Sequence, residues 1–284
     1  TNGAIEAARF GAVASLIRSV GPFSLQTPHT GNSSYMEGLP KIPQAAITSE
    51  DAMWMQRMAD RGETIRVHLR MQARTLPDRK SRNIIADLKG SEFPEEVIVL
   101  GGHIDSWDVG QGAMDDGGGV VATWEAVRLI SSLGLRPKRT LRVVLWTNEE
   151  NGLRGAMAYR DLAVEEGIEN HVLAIESDAG VFDPVGFGFS GPEPALDLLR
   201  EIGRYLEPIE SGEVLRGGGG ADIGPLMTLG VPGMGLLVDG SRYFWYHHTE
   251  ADTVDKLSVE DFNECVATLA VFAHVVGSVP DFRF

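Results

Sequence analysis

The chain has 284 residues, enough for one large domain or a medium domain with a small companion. Hydrophobic residues make up 43% and charged residues 23%, which is ordinary for a chain with a buried core and excludes a disordered polyelectrolyte. The formal charge of -15 opposes phosphate backbones and anionic lipid surfaces, so neither a nucleic-acid nor a membrane partner is expected.

From its first residue, TNGAIEAARF lacks a basic region followed by an apolar stretch, so no secretory leader is expected. EAARFGAVASLIRSV passes from helical to strand-like apolar spacing. Residues 21–43 are rich in Pro, Gly, Ser and Asn and read as a long loop. Within it, Asn32-Ser33-Ser34 matches the glycosylation sequon, a short pattern that matters only in a eukaryotic secretory setting. SEDAMWMQRMADRG predicts a helix that starts near Ser49 or Asp51 and stops at Gly62. Residues 1–61 therefore read as a small unit, short of strands for an independent domain.

From residue 62 the texture changes. TIRVHLRMQA alternates and predicts a strand, with NIIADLKG as its neighbour. EVIVLGGH, TLRVVLWT, HVLAIESD and VPGMGLLVDG are further strands. Helices are predicted at GGGVVATWEAVRLISSLG, GLRGAMAYRDLAVEEG, PALDLLREIGRYL and SVEDFNECVATLAVFAHVVGS. Apolar runs alternating with amphipathic helices give an α/β fold, a mixed, largely parallel sheet covered by helices on both faces. No apolar run approaches the roughly 18 residues of a membrane span. The single cysteine, Cys265, lies in the last apolar helix and reads as a buried thiol. It excludes an internal disulfide and a thiolate zinc cluster.

In such sheets the chemistry gathers at the carboxyl ends of strands. There the chain places His103-Ile104-Asp105 after EVIVL, Glu149-Glu150 after TLRVVLW and Asp178 after HVLAI. A glycine-rich loop before a helix carries Asp115-Asp116, and His247-His248 comes later. Each cluster alone has an ordinary reading: a hydrogen-bonded loop histidine, a helix cap at Asp116, a solvated helix start. Together they form a set of hard and borderline donors suited to a pair of zinc ions. Adjacent carboxylates at 115 and 116 call for nearby positive charge. Of the two acids at 149 and 150, one suits a metal and the other a general base. Two divalent ions would offset about four units of the acidity. No G-x-S-x-G and no H-E-x-x-H is present, and the GGGG run at 217–220 lacks the Lys-Ser/Thr of a phosphate loop. That run is expected to be a mobile loop near the site.

GGHIDSWDVGQGAMDDGGG, TNEENGLRGAMAY, ESDAG and YHHTEADT together resemble the co-catalytic zinc aminopeptidase and glutamate carboxypeptidase superfamily over nearly the whole chain. PFSLQTPHTG and LPKIPQAAIT resemble the protease-associated insert of that group. The resemblance implies a zinc-exopeptidase fold, with a partial insert at 1–61 and a catalytic domain at 62–284, the chain beginning inside the insert. It implies two zinc ions: His103 and Asp178 on one, Glu150 and His248 on the other, Asp115 bridging. Glu149 would be the general base, Asp105, whose carboxylate can accept the other imidazole N–H, would orient His103, and His247 would steady an oxyanion. His248 is preferred over His247 as ligand because the family pattern is His-Ser/Thr-x-x-Asp. A dipeptide or small peptide is the implied substrate, although some members trim longer peptides and others are receptor-like or cyclise N-terminal glutamine. Arg216, Arg242 and Tyr243 are loose candidates for a substrate-end pocket. A secreted, lysosomal or periplasmic location is implied, and homodimerisation is left open.

Overall fold

A computed structural model describes residues 2–21, 23–280 and 282. Thr1, Pro22 within PFSLQTPHTG, and residues 281, 283 and 284 lie outside it. The small N-terminal unit holds α1 (Gly3–Arg9), β1 (Ser15–Arg18), β2 (Gln44–Ile47) and α2 (Ser49–Asp60). β1 and β2 pair in parallel across the long loop. The hydroxyl of Thr48 caps α2 by accepting from the Asp51 N–H, one residue before the expected start, and Gly62 follows its end at φ 76°.

The larger unit is one seven-stranded sheet. Its strands are β3 (Ile84–Leu88), β4 (Phe93–His103), β5 (Arg139–Trp146), β6 (His171–Glu176), β7 (Pro184–Ser190), β8 (Glu213–Arg216) and β9 (Gly233–Val238). The order across the sheet is β3-β5-β4-β6-β9-β7-β8. The central β5, β4, β6 and β9 run parallel, while β3 and β7 are antiparallel to their inner neighbours. The sheet is thus mixed and largely parallel. Its helices are α3 (Gly118–Ser132), α4 (Arg154–Glu166), α5 (Glu193–Gly203), α6 (Gly224–Met227), α7 (Tyr243–Tyr246) and α8 (Val259–Ser278).

Strand alternation assigns the two faces. Ile98 and Leu100 of β4 join Leu173 and Ile175 of β6 in a core shared with α3, α5 and α8. Val97 and Val99 point the other way, into a core with Ala156 and Tyr159 of α4 and Leu226 of α6. Both faces are therefore dry, which explains why these strands read as unbroken apolar runs. Cys265 is buried in the first core. Asp87 and Arg142 face each other across β3 and β5 and form a two-toothed ion pair at 2.8 and 3.1 Å.

TIRVHLRMQA is not a strand. Residues 63–83 carry no regular structure, and Val67 and Met71 are exposed. Alternation alone does not make a strand; a partner is needed, and β3 already occupies the sheet edge. β7 and β8 were not singled out in the sequence, because glycine breaks the apolar pattern of PVGFGFS. The GGGG run carries no helix or strand and is closely packed. Gly218 backs directly onto Gly188 of β7, where a Cβ would stand 2.2 Å from a backbone atom. Among the described residues no helix is long and apolar enough to cross a membrane.

Candidate metal centre

The parallel strands β4, β5 and β6 end side by side, so their C-terminal residues meet. His103 is the last residue of β4 and is 1% exposed. Its Nδ1 lies 2.8 Å from the backbone carbonyl of Asp105, which accepts the Nδ1–H hydrogen bond. Nε2 then carries the lone pair, and it faces Asp115 Oδ1 and Asp178 Oδ1, both at 3.2 Å. A lone pair aimed at two carboxylates is repulsive unless positive charge stands between them or a proton is added. Burial opposes protonation here, yet the two carboxylates outweigh it and hold the imidazole pKa far above its usual range. The same pairing pulls Asp115 below the usual carboxylate range although burial alone would raise it.

Asp115 has a second side. Its Oδ2 lies 3.2 Å from His248 Nε2 and 3.4 Å from His247 Nε2. His248 Nε2 is also 3.0 Å from Glu150 Oε2. His248 thus meets two carboxylates, whereas His247 meets only Asp115. Three overlapping donor groups bring their ligand atoms within 4.8 Å: His103, Asp115 and Glu150; His103, Asp116 and Asp178; Asp115, His247 and His248. A cavity of about 10 Å³ among Asp115, Glu150 and His248 has room for one water-sized body.

Asp116 is held behind the site. It accepts the backbone N–H of His103 at 3.1 Å, so it does not cap α3. Full burial, with Asp178 next, pushes its pKa well up. Gly102 makes room for it: a Cβ there would stand 2.1 Å from Asp116 Oδ2. Glu149 is half-buried within the electrostatic reach of His103, Asp178, Glu150 and Asp115, and burial raises its carboxyl to about 7. His247 stacks on His248 with ring centres 3.6 Å apart, and burial lowers its pKa to about 4, so it is neutral at neutral pH. His248 sits at φ 58° and Asn148 at φ 68°, left-handed values that are uncommon outside glycine, although Asn and His adopt them more readily than most residues.

Two expectations need correction. Asp105 does hold His103, but through its main-chain carbonyl. Its carboxylate accepts instead from the Glu149 N–H at 3.0 Å, because the chain turns as β4 ends and aims the side chain at β5. Arg216 and Arg242 do not reach the site. Arg216 pairs with exposed Glu193, and Arg242 lies 3.8 Å from Asp261 and over the Phe182 ring. Tyr243 does approach, its ring 4.8 Å from that of His247.

Several neighbours were given no role in the sequence reading. Asp252 accepts from the Met114 and Asp115 N–H groups at 2.6 and 3.2 Å. Its signal was the acid four residues after His248. Glu176 and Asp222, both 1% exposed, lie beneath the site, and burial raises them to about 8 and about 9. Thr30 and Asn32 reach in from the N-terminal loop.

Residues 83–273 match the family model for peptidase family M28. The chain belongs to peptidase family M28. It is 50% identical to carboxypeptidase Q from Homo sapiens over 281 residues, which is 99% of this chain and 59% of that protein. The chain thus spans well under two thirds of that relative's length. A solved M28 peptidase precursor from Shewanella amazonensis superposes with a TM-score of 0.89 at 36% identity, covering 99% of this chain and 63% of the other. A zinc aminopeptidase from Bacillus subtilis shares the M28 fold at a TM-score of 0.64 and 20% identity, over 95% of this chain and 65% of the other.

Proposed function

We propose that the chain is the catalytic part of a zinc-dependent exopeptidase that hydrolyses dipeptides or small peptides. The observation that carries this is Asp115, whose two oxygens face two different histidines, each of which meets a further carboxylate. His103 faces Oδ1 and also meets Asp178, while His248 faces Oδ2 and also meets Glu150. The fit to zinc rests on spacing and charge. Donors around a tetrahedral zinc at about 2.0–2.1 Å are separated by about 3.3 Å. The gaps of 3.0–3.2 Å here match that edge. Asp115 Oδ2 and Glu150 Oε1 are also buried without hydrogen-bond partners, which calls for positive charge.

Two zinc ions held there would supply Lewis acidity toward the scissile carbonyl. Glu149 takes a proton from the attacking water and returns it to the leaving amine. Its raised pKa suits both tasks near neutral pH. Asp105 fixes Glu149 by accepting its main-chain N–H. Neutral His247 steadies the oxyanion as a hydrogen-bond donor. A cavity of about 630 Å³ opens beside His247 and His248, and Ile17, Val109 and Phe244 in its walls suit an apolar residue of the peptide. Residues 1–61 belong to a protease-associated insert and 62–284 to the catalytic domain.

The test is zinc content per chain beside hydrolysis of an unblocked dipeptide, an N-acetylated dipeptide and an aminoacyl anilide. Two zinc ions with cleavage of the unblocked dipeptide alone support a dipeptidase. Cleavage of the anilide moves the reading to an aminopeptidase on longer peptides. A folded, zinc-supplied sample that binds none overturns it.

A further inference from the structure

Building on the two-metal reading above, we infer that the loop at residues 29–32 of the N-terminal unit is a built part of the second metal site and not of the first, with Asn32 and His29 as its positioning residues.

The contacts are specific. The Thr30 carbonyl accepts from His248 Nδ1 at 3.2 Å, and the Thr30 N–H donates to the His248 carbonyl at 2.8 Å. With Nδ1 so engaged, neutral His248 turns the lone pair of Nε2 toward Asp115 and Glu150, the tautomer a metal requires. The two bonds also hold His248 from both sides in its left-handed backbone conformation. Asn32 Nδ2 donates to the carbonyl of Glu150, the other ligand of the same set. His29, buried, ties the loop down twice. Its Nε2 lies 2.8 Å from the Phe244 carbonyl in α7, and its N–H donates to Ser19 Oγ at 3.0 Å beside β1.

The contacts that orient the first site run differently. The tautomer of His103 is fixed by Asp105, and the Asp115 backbone by Asp252, all within the larger unit. The two sites therefore differ in how they are held: these contacts of the first lie within the larger unit, and those of the second reach across to the N-terminal loop. Asn32 also heads the only sequon noted above. A glycan there would replace one of the two hydrogens on Nδ2, the atom that donates to the Glu150 carbonyl.

The metal-free chain is titrated with zinc by calorimetry, with metal content measured after dialysis. Wild type should take up two ions. Asn32→Asp, Asn32→Ala and His29→Ala should each weaken one ion by about 10–100-fold and leave the other, the scale seen when a group that orients a ligand is removed. Asp178→Asn should weaken the other ion, so Asn32→Ala combined with Asp178→Asn holds neither tightly. Circular dichroism of the metal-free variants confirms the fold, and Asn32→Ala removes the donor without adding charge. Wild-type affinities in the Asn32 and His29 variants, or equal weakening of both ions, overturn this inference while the two-metal reading stands. Fewer than two ions on the wild type overturns both.

Discussion

Asp252 holds Asp115 in place without touching its carboxylate. Its two oxygens accept from the main-chain N–H groups of Met114 and Asp115, at 2.6 and 3.2 Å, and all three residues are buried. Those N–H groups precede α3 and have no turn of helix before them to bond. Asp252→Ala leaves them unsatisfied, and hydrogen bonds to a charged group are each worth about 1.5–3 kcal/mol. The expected outcome is a less stable protein with zinc affinity lowered about 10–100-fold. Chelator competition measures the second effect and urea unfolding of the metal-free protein the first. Wild-type values in both would remove Asp252 from the site.

Glu149 and Glu150 are neighbours with opposite assignments. Glu150 is buried against His248, whereas Glu149 is half-buried, with its carboxyl raised by burial to about 7. Glu149→Gln should retain both zinc ions and lose about two to four orders of magnitude in turnover, the usual share of a general base. Glu150→Gln should lose zinc first. Near-normal turnover in Glu149→Gln would end the general-base assignment.

Removing the metal should reveal how poorly the empty donors tolerate one another. Asp115, Asp116, Glu150 and Asp178 converge on His103 and His248 in a largely dry site. Ligand that binds only the folded chain adds about 2.7 kcal/mol at one hundred times its dissociation constant. Chelation should therefore lower the melting temperature, and zinc should restore it in proportion to the logarithm of its concentration. In Asp115→Ala the zinc response should vanish. A melting temperature indifferent to zinc in the wild type would contradict the centre.

How much of this the sequence discloses depends on the range of the contacts. His103, Glu150 and Asp178 were legible because parallel strands place their carboxyl ends together, so residues at successive strand ends must meet. The sheet was legible because β4, β5 and β6 are buried on both faces and carry continuous apolar runs. Thr30 was not legible, since it acts through main-chain atoms that any residue possesses. Nor was the role of Asp105, because a carbonyl and a carboxylate two residues from an imidazole look alike in sequence. The strand expected at TIRVHLRMQA failed for the opposite reason: its local pattern was right and its partner was absent among the described residues.

His171 provides a pH test away from the metal centre. It begins β6, is 4% exposed, and its Nε2 lies 3.0 Å from the Tyr159 hydroxyl. Burial, helped by the charge of Arg142, lowers its pKa below the ordinary 6.5. The unfolded chain therefore binds a proton before the folded chain does as pH falls. Its contribution is intact above about 6.5 and is lost as pH drops from there toward the folded value, by at most about 1.4 kcal/mol per pH unit. Urea unfolding at several pH values between 7.5 and 5 should show a smaller acid loss in His171→Gln than in wild type. Parallel curves would mean that His171 titrates alike in both states.

Gly102 tests whether the strand end itself is shaped around the site. A Cβ at this position would stand 2.1 Å from Asp116 Oδ2 and 3.0 Å from the Ser177 carbonyl. Asp116 cannot withdraw freely, since its carboxylate holds the His103 N–H and is surrounded by protein. Gly102→Ala should therefore cost about 1–3 kcal/mol, the scale of overpacking, and displace His103 with it. Gly134, whose added Cβ meets nothing within 4 Å, has a positive φ of 72° and would show backbone strain alone. The two alanine variants separate the effects: both should be less stable, but only Gly102→Ala should lose zinc affinity. Equal zinc binding in the two would mean that Asp116 can move without disturbing His103, and that the donors are held chiefly by Asp105 and Asp252.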